Sequence, residues 1–195
     1  MQLDTIRERI GAHRATRAEP EGDVMRAAVA LILHEPDGGS PEILFIERAT
    51  QEGDPWSGHM ALPGGRKDPE DQDLQATAAR ETLEEVGVSL HEPLGRLDDL
   101  SGQRRFREQT FPLVVSPYVY GLATRPEVTA NNEVNSTVWI PVPWILHPES
   151  SVEHATGPSA IGETFPGFRY DRYTVWGLTY RVLTNFFEIL GQKLR

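Results

Sequence analysis

Glu81, Glu84 and Glu85 place three carboxylates within one short stretch of this 195-residue chain. On a helix at about 100° per residue, with Ala76 set at zero, Glu84, Glu81 and Glu85 fall at about 80°, 140° and 180°. Glu81 and Glu85 then lie one turn apart and can grip one cation together, and Glu81 and Glu84 are neighbours as well. Ala76, Ala79, Leu83 and Val86 share the other arc, which predicts an apolar stripe facing the core with the carboxylates facing away. Acidic runs are ordinarily solvated helix faces. Here, however, the three acids sit in the last two turns, where the helix dipole disfavours anions, and they repel one another unless a cation is bound.

The elements that position these acids follow from local signals. Asp71 or Asp73 can cap a helix over Gln72–Val86, and Gly87 stands where a left-handed residue ends it. Before it, Gly53–Gly65 reads as a long loop ending in the pair Gly64-Gly65, where the missing Cβ lets backbone approach a ligand. Arg26–His34 and Glu42–Arg48 read as two strands able to pair as a hairpin. Further strands are expected at Gly95–Leu100, Phe111–Leu122 and Thr137–Val142. A turn-rich stretch then runs to Arg169, and a final helix spans Val175–Leu190, with Leu178, Val182, Phe186 and Leu190 at helical spacing. A short helix with Ile6 and Ile10 on one side, followed by a Pro- and Gly-containing linker, makes residues 1–23 an N-terminal extension to a domain over 24–195. Strands first, then one internal and one terminal helix, predict an α/β fold: a mixed sheet with helices on its faces.

Gly65, Arg80, Glu81, Glu84, Glu85 and Gly87, with an apolar residue at 88, form a pattern met by chance about once in 10⁷ starting points at average residue usage. The segment resembles the box of the Nudix hydrolase family: glycine, five residues, Glu, seven residues, then Arg-Glu-apolar-any-Glu-Glu-any-Gly-apolar. Arg80 to Val88 fits the second half, with Thr82 in an apolar slot. Anchored on Gly65, the first Glu slot holds Asp71, with one extra residue before Arg80; Glu70 and Asp73 are the other candidates for that slot. Leu44 to Ala49, Gly58 to Gly65 and Trp176 to Leu183 are similar to motifs of the family's coenzyme A diphosphatase branch, although Asp54 stands where that branch has an Arg.

The resemblance implies a Nudix-type α/β/α sandwich with a mixed curved sheet. It also implies divalent-metal-dependent hydrolysis of the diphosphate bond of a nucleoside diphosphate derivative, with coenzyme A or its esters as the first guess. ADP-ribose or another nucleotide is the alternative substrate, and a non-catalytic nucleotide-binding module the alternative of another class. Mg2+ or Mn2+ is the implied cofactor, held by Glu81, Glu84, Glu85 and the Gly65 carbonyl. Glu84 and Glu85 are the implied catalytic acids, with Glu84 either a ligand or the residue that positions the water. Arg80, also placed in the catalytic set, is a partner of the box carboxylates. Arg48, Arg104 and Arg105 are candidates for substrate phosphates. Glu133 is a candidate further acid and Trp56 a candidate base-stacking residue, with plain surface or core roles as the alternatives. His59 reads as structural.

The 29 acidic against 19 basic residues, a formal net charge of −10, argue against nucleic-acid and anionic-membrane partners. The expected partner is therefore a small nucleotide diphosphate, with a homodimer left open. The absence of cysteine excludes disulfides, thiolate metal sites and a cysteine nucleophile. No secretory signal or spanning segment is visible, and the cytoplasm is the expected location.

Overall fold

The structure, a computed structural model, describes residues 1–19, 24–50, 57–106, 109–155 and 164–194, with the backbone alone at 103–106 and 109–111. Helix α1 (Leu3–Ala12) precedes strands β1 (Met25–His34), β2 (Glu42–Arg48), β3 (Met60–Ala61) and β4 (Gly64–Arg66). Helix α2 (Leu74–Val86) is followed by β5 (Gly95–Arg96), β6 (Leu100–Phe106), β7 (Gln109–Leu122) and β8 (Val134–Pro141). The one-turn helix α3 (Val142–Ile145), β9 (Ser151–Ala155), β10 (Thr164–Tyr170), β11 (Tyr173–Trp176) and helix α4 (Gly177–Ile189) complete the chain.

Strands β1 to β8 form one mixed sheet. Its centre is the parallel pair β1–β7, in register from Met25 opposite Leu113 to His34 opposite Leu122. Side-chain alternation along β1 divides the core in two. Leu31 and Leu33 pack with Ile6 and Ile10 of α1 and with Leu183, Phe186 and Phe187 of α4. Ala28, Ala30 and Ile32 face the other way, toward Ala78 and Val86 of α2. Helices thus cover both faces, which is the expected sandwich. A small antiparallel sheet, β9–β10–β11, adds Phe168 and Val175 to the larger core.

Several details differ from the sequence reading. β1 and β2 meet only at Leu33–Ile43 and His34–Glu42. Further along, β4 takes the place beside β1 that a simple hairpin would give to β2, pairing Ala27–Arg66, Ala28–Gly65 and Val29–Gly64. The loop expected over Gly53–Gly65 therefore holds two short strands within its described part, and the second carries the glycine pair into the sheet beside α2. The stretch expected to be turns contains β9 and most of β10. β3, β4 and β9, of two to five residues, leave too little periodicity to be read, and the seven-residue β10 carries Pro166 and Gly167 within it.

The N-terminal helix is stitched onto the domain. Thr16 N–H donates to Asp98 at 2.7 Å and Ala18 N–H to Asp99 at 3.0 Å, while His13 meets Asp98 at 3.1 Å.

Candidate active site

Helix α2 begins and ends as its local signals require. The Asp73 carboxylate accepts from the Ala76 N–H at 2.8 Å, and Gly87 adopts φ 71° as its N–H closes onto the Leu83 carbonyl at 3.0 Å. Its orientation reverses the expected one. Leu83 is 51% exposed, whereas Thr77, Ala78, Thr82, Glu85 and Val86 are buried. The helix packs against β1 and β4 through small side chains, and this close approach turns Glu81 and Glu85 inward to the glycine pair. The apolar stripe drawn through Ala76, Ala79 and Leu83 is thus not the core face; of that set only Val86 is buried.

The three candidates for the first box acid take separate roles. Asp73 caps the helix. Glu70 is exposed. Asp71 is buried and binds Arg80 in fork fashion, accepting from Nε at 2.9 Å and Nη2 at 3.0 Å. It also accepts from the Thr77 hydroxyl at 2.8 Å and the Asp68 N–H at 2.9 Å. These donors, Arg80 foremost, hold the Asp71 carboxyl far below the usual carboxylate range. The same Nη2 also reaches Glu81 at 3.0 Å and the Arg66 carbonyl at 3.1 Å, and Nη1 donates to Glu84 at 3.1 Å. Arg80 therefore orients two of the three box acids from a fixed base, consistent with a partner of the carboxylates.

The acids differ in environment. Glu85 is 2% exposed, and its Oε2 accepts from the Gly64 N–H at 2.8 Å. Burial pushes the Glu85 carboxyl up to about 7, against the Gly64 hydrogen bond and the charge of Arg48, with Glu81 and Glu133 adding repulsion. Burial also raises Glu81, whose side chain is 17% exposed, despite Arg80. The Glu84 side chain is 55% exposed. An acid whose folded pKa lies above its unfolded value binds more protons in the folded state, so its contribution to stability falls as pH rises. We expect metal-free protein to lose about 2–3 kcal/mol between about pH 4.5 and 7.5 from this pair, chiefly Glu85. Urea titrations in EDTA should show this loss, Mg2+ should diminish it, and Glu85→Gln should remove most of it. An unchanged slope in that variant would mean that other groups cause it.

The glycine pair is required by space. Gly64 has φ 148°, and a Cβ there would run into the Ala28 carbonyl. A Cβ on Gly65 would meet the Glu81 carboxylate. Gly65→Ala should therefore displace Glu81 and lower activity about tenfold with a small change in Tm, checked by initial rates at saturating Mg2+.

Glu81, Glu84 and Glu85 line a cleft of about 620 Å3, joined by Glu133, Arg48 and Gly65. Loop contacts carry Glu133 there: its carbonyl accepts from the Ala49 N–H at 2.7 Å, and its own N–H donates to Asn131 at 2.8 Å. His59 also lines the cleft and packs edge-on against Trp176 at 4.8 Å. The backbone of Arg104 and Arg105 lies on β6, opposite Phe111 and Thr110. Their side chains, like Asp54 and Trp56, lie outside the described residues. Among the described residues no three His, Asp or Glu side chains form a preassembled metal cluster. The acids instead form one wall of an open cleft. The sequence reading missed the apolar lining from β1, β7 and the first turn of α4, because its residues look like ordinary core.

The family model for the NUDIX domain matches residues 24–157. This chain belongs to the Nudix hydrolase family. An uncharacterized protein of Schizosaccharomyces pombe is 33% identical over 174 residues, which are 78% of this chain and 52% of that protein, so the chain spans about half of that relative. The mitochondrial coenzyme A diphosphatase of Homo sapiens is 29% identical over 183 residues, covering 90% of this chain and 72% of its own. The peroxisomal coenzyme A diphosphatase of Caenorhabditis elegans is 32% identical over 169 residues, covering 84% and 67%. A MutT/nudix family protein from Enterococcus faecalis shares the fold at a TM-score of 0.60 and 16% identity, over 88% of this chain and 63% of that one. The compartments in these relatives' names lend no support to the cytoplasmic expectation. No described helix is long and apolar enough to cross a membrane.

Proposed function

We propose that this Nudix chain hydrolyses the diphosphate bond of a nucleoside diphosphate derivative with the aid of Mg2+ or Mn2+, and that coenzyme A or an ester of it is the substrate to test first. The observation that carries this reading is the single cleft wall bearing Glu81, Glu84, Glu85 and Glu133, with Arg48 beside it. Three features fit a hard divalent cation: an all-oxygen donor set, an open cleft, and a buried acid, Glu85, whose charge burial and the neighbouring Glu81 and Glu133 disfavour. Glu81, Glu85 and the Gly65 carbonyl would hold the cation, with Glu84 as a further ligand. Such a cation offsets the charge of a diphosphate and activates water for attack on phosphorus.

The chain's own groups do the rest. Arg80, anchored on Asp71, holds Glu81 and Glu84 at fixed positions. Glu84, the most exposed of the three, is placed to orient the attacking water if it is not a ligand. Arg48 offers a cation to the substrate phosphates. The coenzyme A part of the reading draws on the names of the human and nematode relatives.

Purified protein should be incubated with Mg2+ or Mn2+ and coenzyme A, dephospho-coenzyme A, ADP-ribose or dinucleoside polyphosphates, with both products identified by mass. Two phosphate monoesters per cleavage, abolished by EDTA, are expected. A nucleotide that binds tightly with Mg2+ and stays intact would replace this reading with that of a binding module.

A further inference from the structure

Arg48 and Glu133 reach the cleft from either side of an irregular join between β2 and β8. Along these strands Ile46 faces Thr137 and Glu47 faces Ser136, but Arg48 then faces Val134. Asn135 is left over, as in a β-bulge, which bends a strand and re-aims its side chains. Two cleft-lining charges therefore flank one irregularity: Arg48 follows it directly on β2, and Glu133 directly precedes β8. Just beyond it, the bond from the Ala49 N–H to the Glu133 carbonyl ties the two segments together.

The join is held from behind. Side chains alternate along β2, so Glu47 lies on the face of Ile43 and Phe45, opposite that of Arg48. Its Oε2 accepts from Asn135 Nδ2 at 2.8 Å and from Ser136 Oγ at 2.7 Å. Two successive side chains of a regular strand would point to opposite faces; the bulge lets one carboxylate hold both. Arg172 completes the fork, donating from Nη1 to Oε1 and from Nη2 to Oε2, each at 2.9 Å. Its Nη2 also donates to Ser136 Oγ and the Tyr173 hydroxyl, each at 3.0 Å, and the guanidinium lies 4.3 Å from the centre of the Tyr173 ring.

Arg172 comes from another part of the fold. It sits in the two-residue turn between β10 and β11, where Tyr170 pairs with Tyr173. Asp171 of that turn takes φ 52°, the one positive φ outside glycine among the described residues. The hairpin tip of the small sheet thus clamps the irregular join of the main sheet. Neither Glu47 nor Arg172 is among the residues that line the cleft, so the pair acts through others.

We propose that the Glu47–Arg172 pair is a positioning brace, which fixes the bulge at Asn135 and thereby sets the aim of Arg48 and Glu133 into the cleft. The proposal rests on the hydrolase reading only for the reaction that the aimed groups serve. An ion pair with one exposed partner contributes little to stability, so the consequence of this one is geometric. Displacing a substrate-positioning group by about 1 Å can cost about 100-fold in rate.

The Arg172 side chain is 54% exposed, so Arg172→Ala should keep its Tm within about 4 °C of wild type. It should lower kcat/KM for a cleaved diphosphate about tenfold and weaken α,β-methylene-ADP, measured by calorimetry with Mg2+, about fivefold. Arg172→Lys, which keeps the charge without the fork, should recover part of both. Glu47→Gln is the second variant should Arg172→Ala fail to fold. The deciding measurement repeats Arg172→Ala in protein that already carries Arg48→Ala and Glu133→Gln. With both aimed groups gone, the substitution should change affinity for the analogue by less than about twofold. An equal loss in both backgrounds would make the pair merely structural and overturn the brace. Wild-type affinity and kcat/KM in Arg172→Ala would overturn it as well, while leaving the hydrolase reading in place. A wild type that cleaves no diphosphate, yet shows the background-dependent loss of affinity, would support the brace and count against the hydrolase reading alone.

Discussion

Glu85→Gln is expected to lower the rate of diphosphate hydrolysis at least about 100-fold while leaving the fold as stable as before or more so. The two effects have one cause. In the folded chain the Glu85 carboxylate is buried against the Gly64 N–H, with Glu81 and Glu133 adding repulsion and burial raising its pKa to about 7. At pH 8 a metal-free protein carries that buried charge at a cost. The amide keeps an oxygen for the Gly64 N–H but removes the charge, so the Tm in EDTA should be unchanged or higher. The same missing charge weakens the hold on a cation, so catalysis collapses and Mg2+ should no longer raise the Tm. Differential scanning at pH 8, with and without Mg2+, and single-turnover assays measure both halves. Near wild-type turnover would remove Glu85 from the candidate site.

The signals that could be read in advance are local. The Asp73 cap and the Gly87 terminus bracket α2 closely, and the spacing of Arg80, Glu81, Glu84 and Glu85 identifies the family before any coordinate is known. The face that α2 buries could not be read from hydrophobicity. Leu83 is exposed, while Thr82 and Glu85 are buried. Close packing on β4 favours small side chains, and the cleft draws carboxylates inward, so two local preferences are overridden at the candidate site. Long-range pairing was equally out of reach. Nothing near β1 announces that β7, far along the chain, lies parallel to it, or that β4 rather than β2 flanks its first half. The apolar lining of the cleft shows the same limit: Val29, Leu113 and Leu178 come from three distant segments, and each alone looks like a core residue.

Removal of Asp71 tests whether the box works as a braced unit. Asp71→Ala should cost about 2–4 kcal/mol of stability, because it strips the fork from Arg80, leaves the Asp68 N–H without its acceptor and leaves the Thr77 hydroxyl only the Asp73 carbonyl. The figure sits below that for a fully buried pair because Arg80 keeps partial contact with solvent and retains Glu81 and Glu84. Those retained contacts determine the effect on function. Freed from Asp71, the guanidinium can follow the two carboxylates, neutralising them and competing with a cation. Activity at limiting Mg2+ should therefore fall about 10–100-fold, and added Mg2+ should recover part of it. The pH dependence separates this acid from Glu85. Asp71 is held below its unfolded pKa, so its contribution is present above the usual Asp range and is lost as pH falls through that range and below. The stability gap between wild type and Asp71→Ala should accordingly be full at pH 7 and narrow on acidification, without the decline toward pH 7.5 expected from Glu85. A double-mutant cycle with Arg80→Ala should show coupling of at least about 1 kcal/mol. Additive effects, or a loss below about 0.5 kcal/mol for Asp71→Ala alone, would mean that Arg80 is held by Glu81 and Glu84 and that Asp71 is not its anchor.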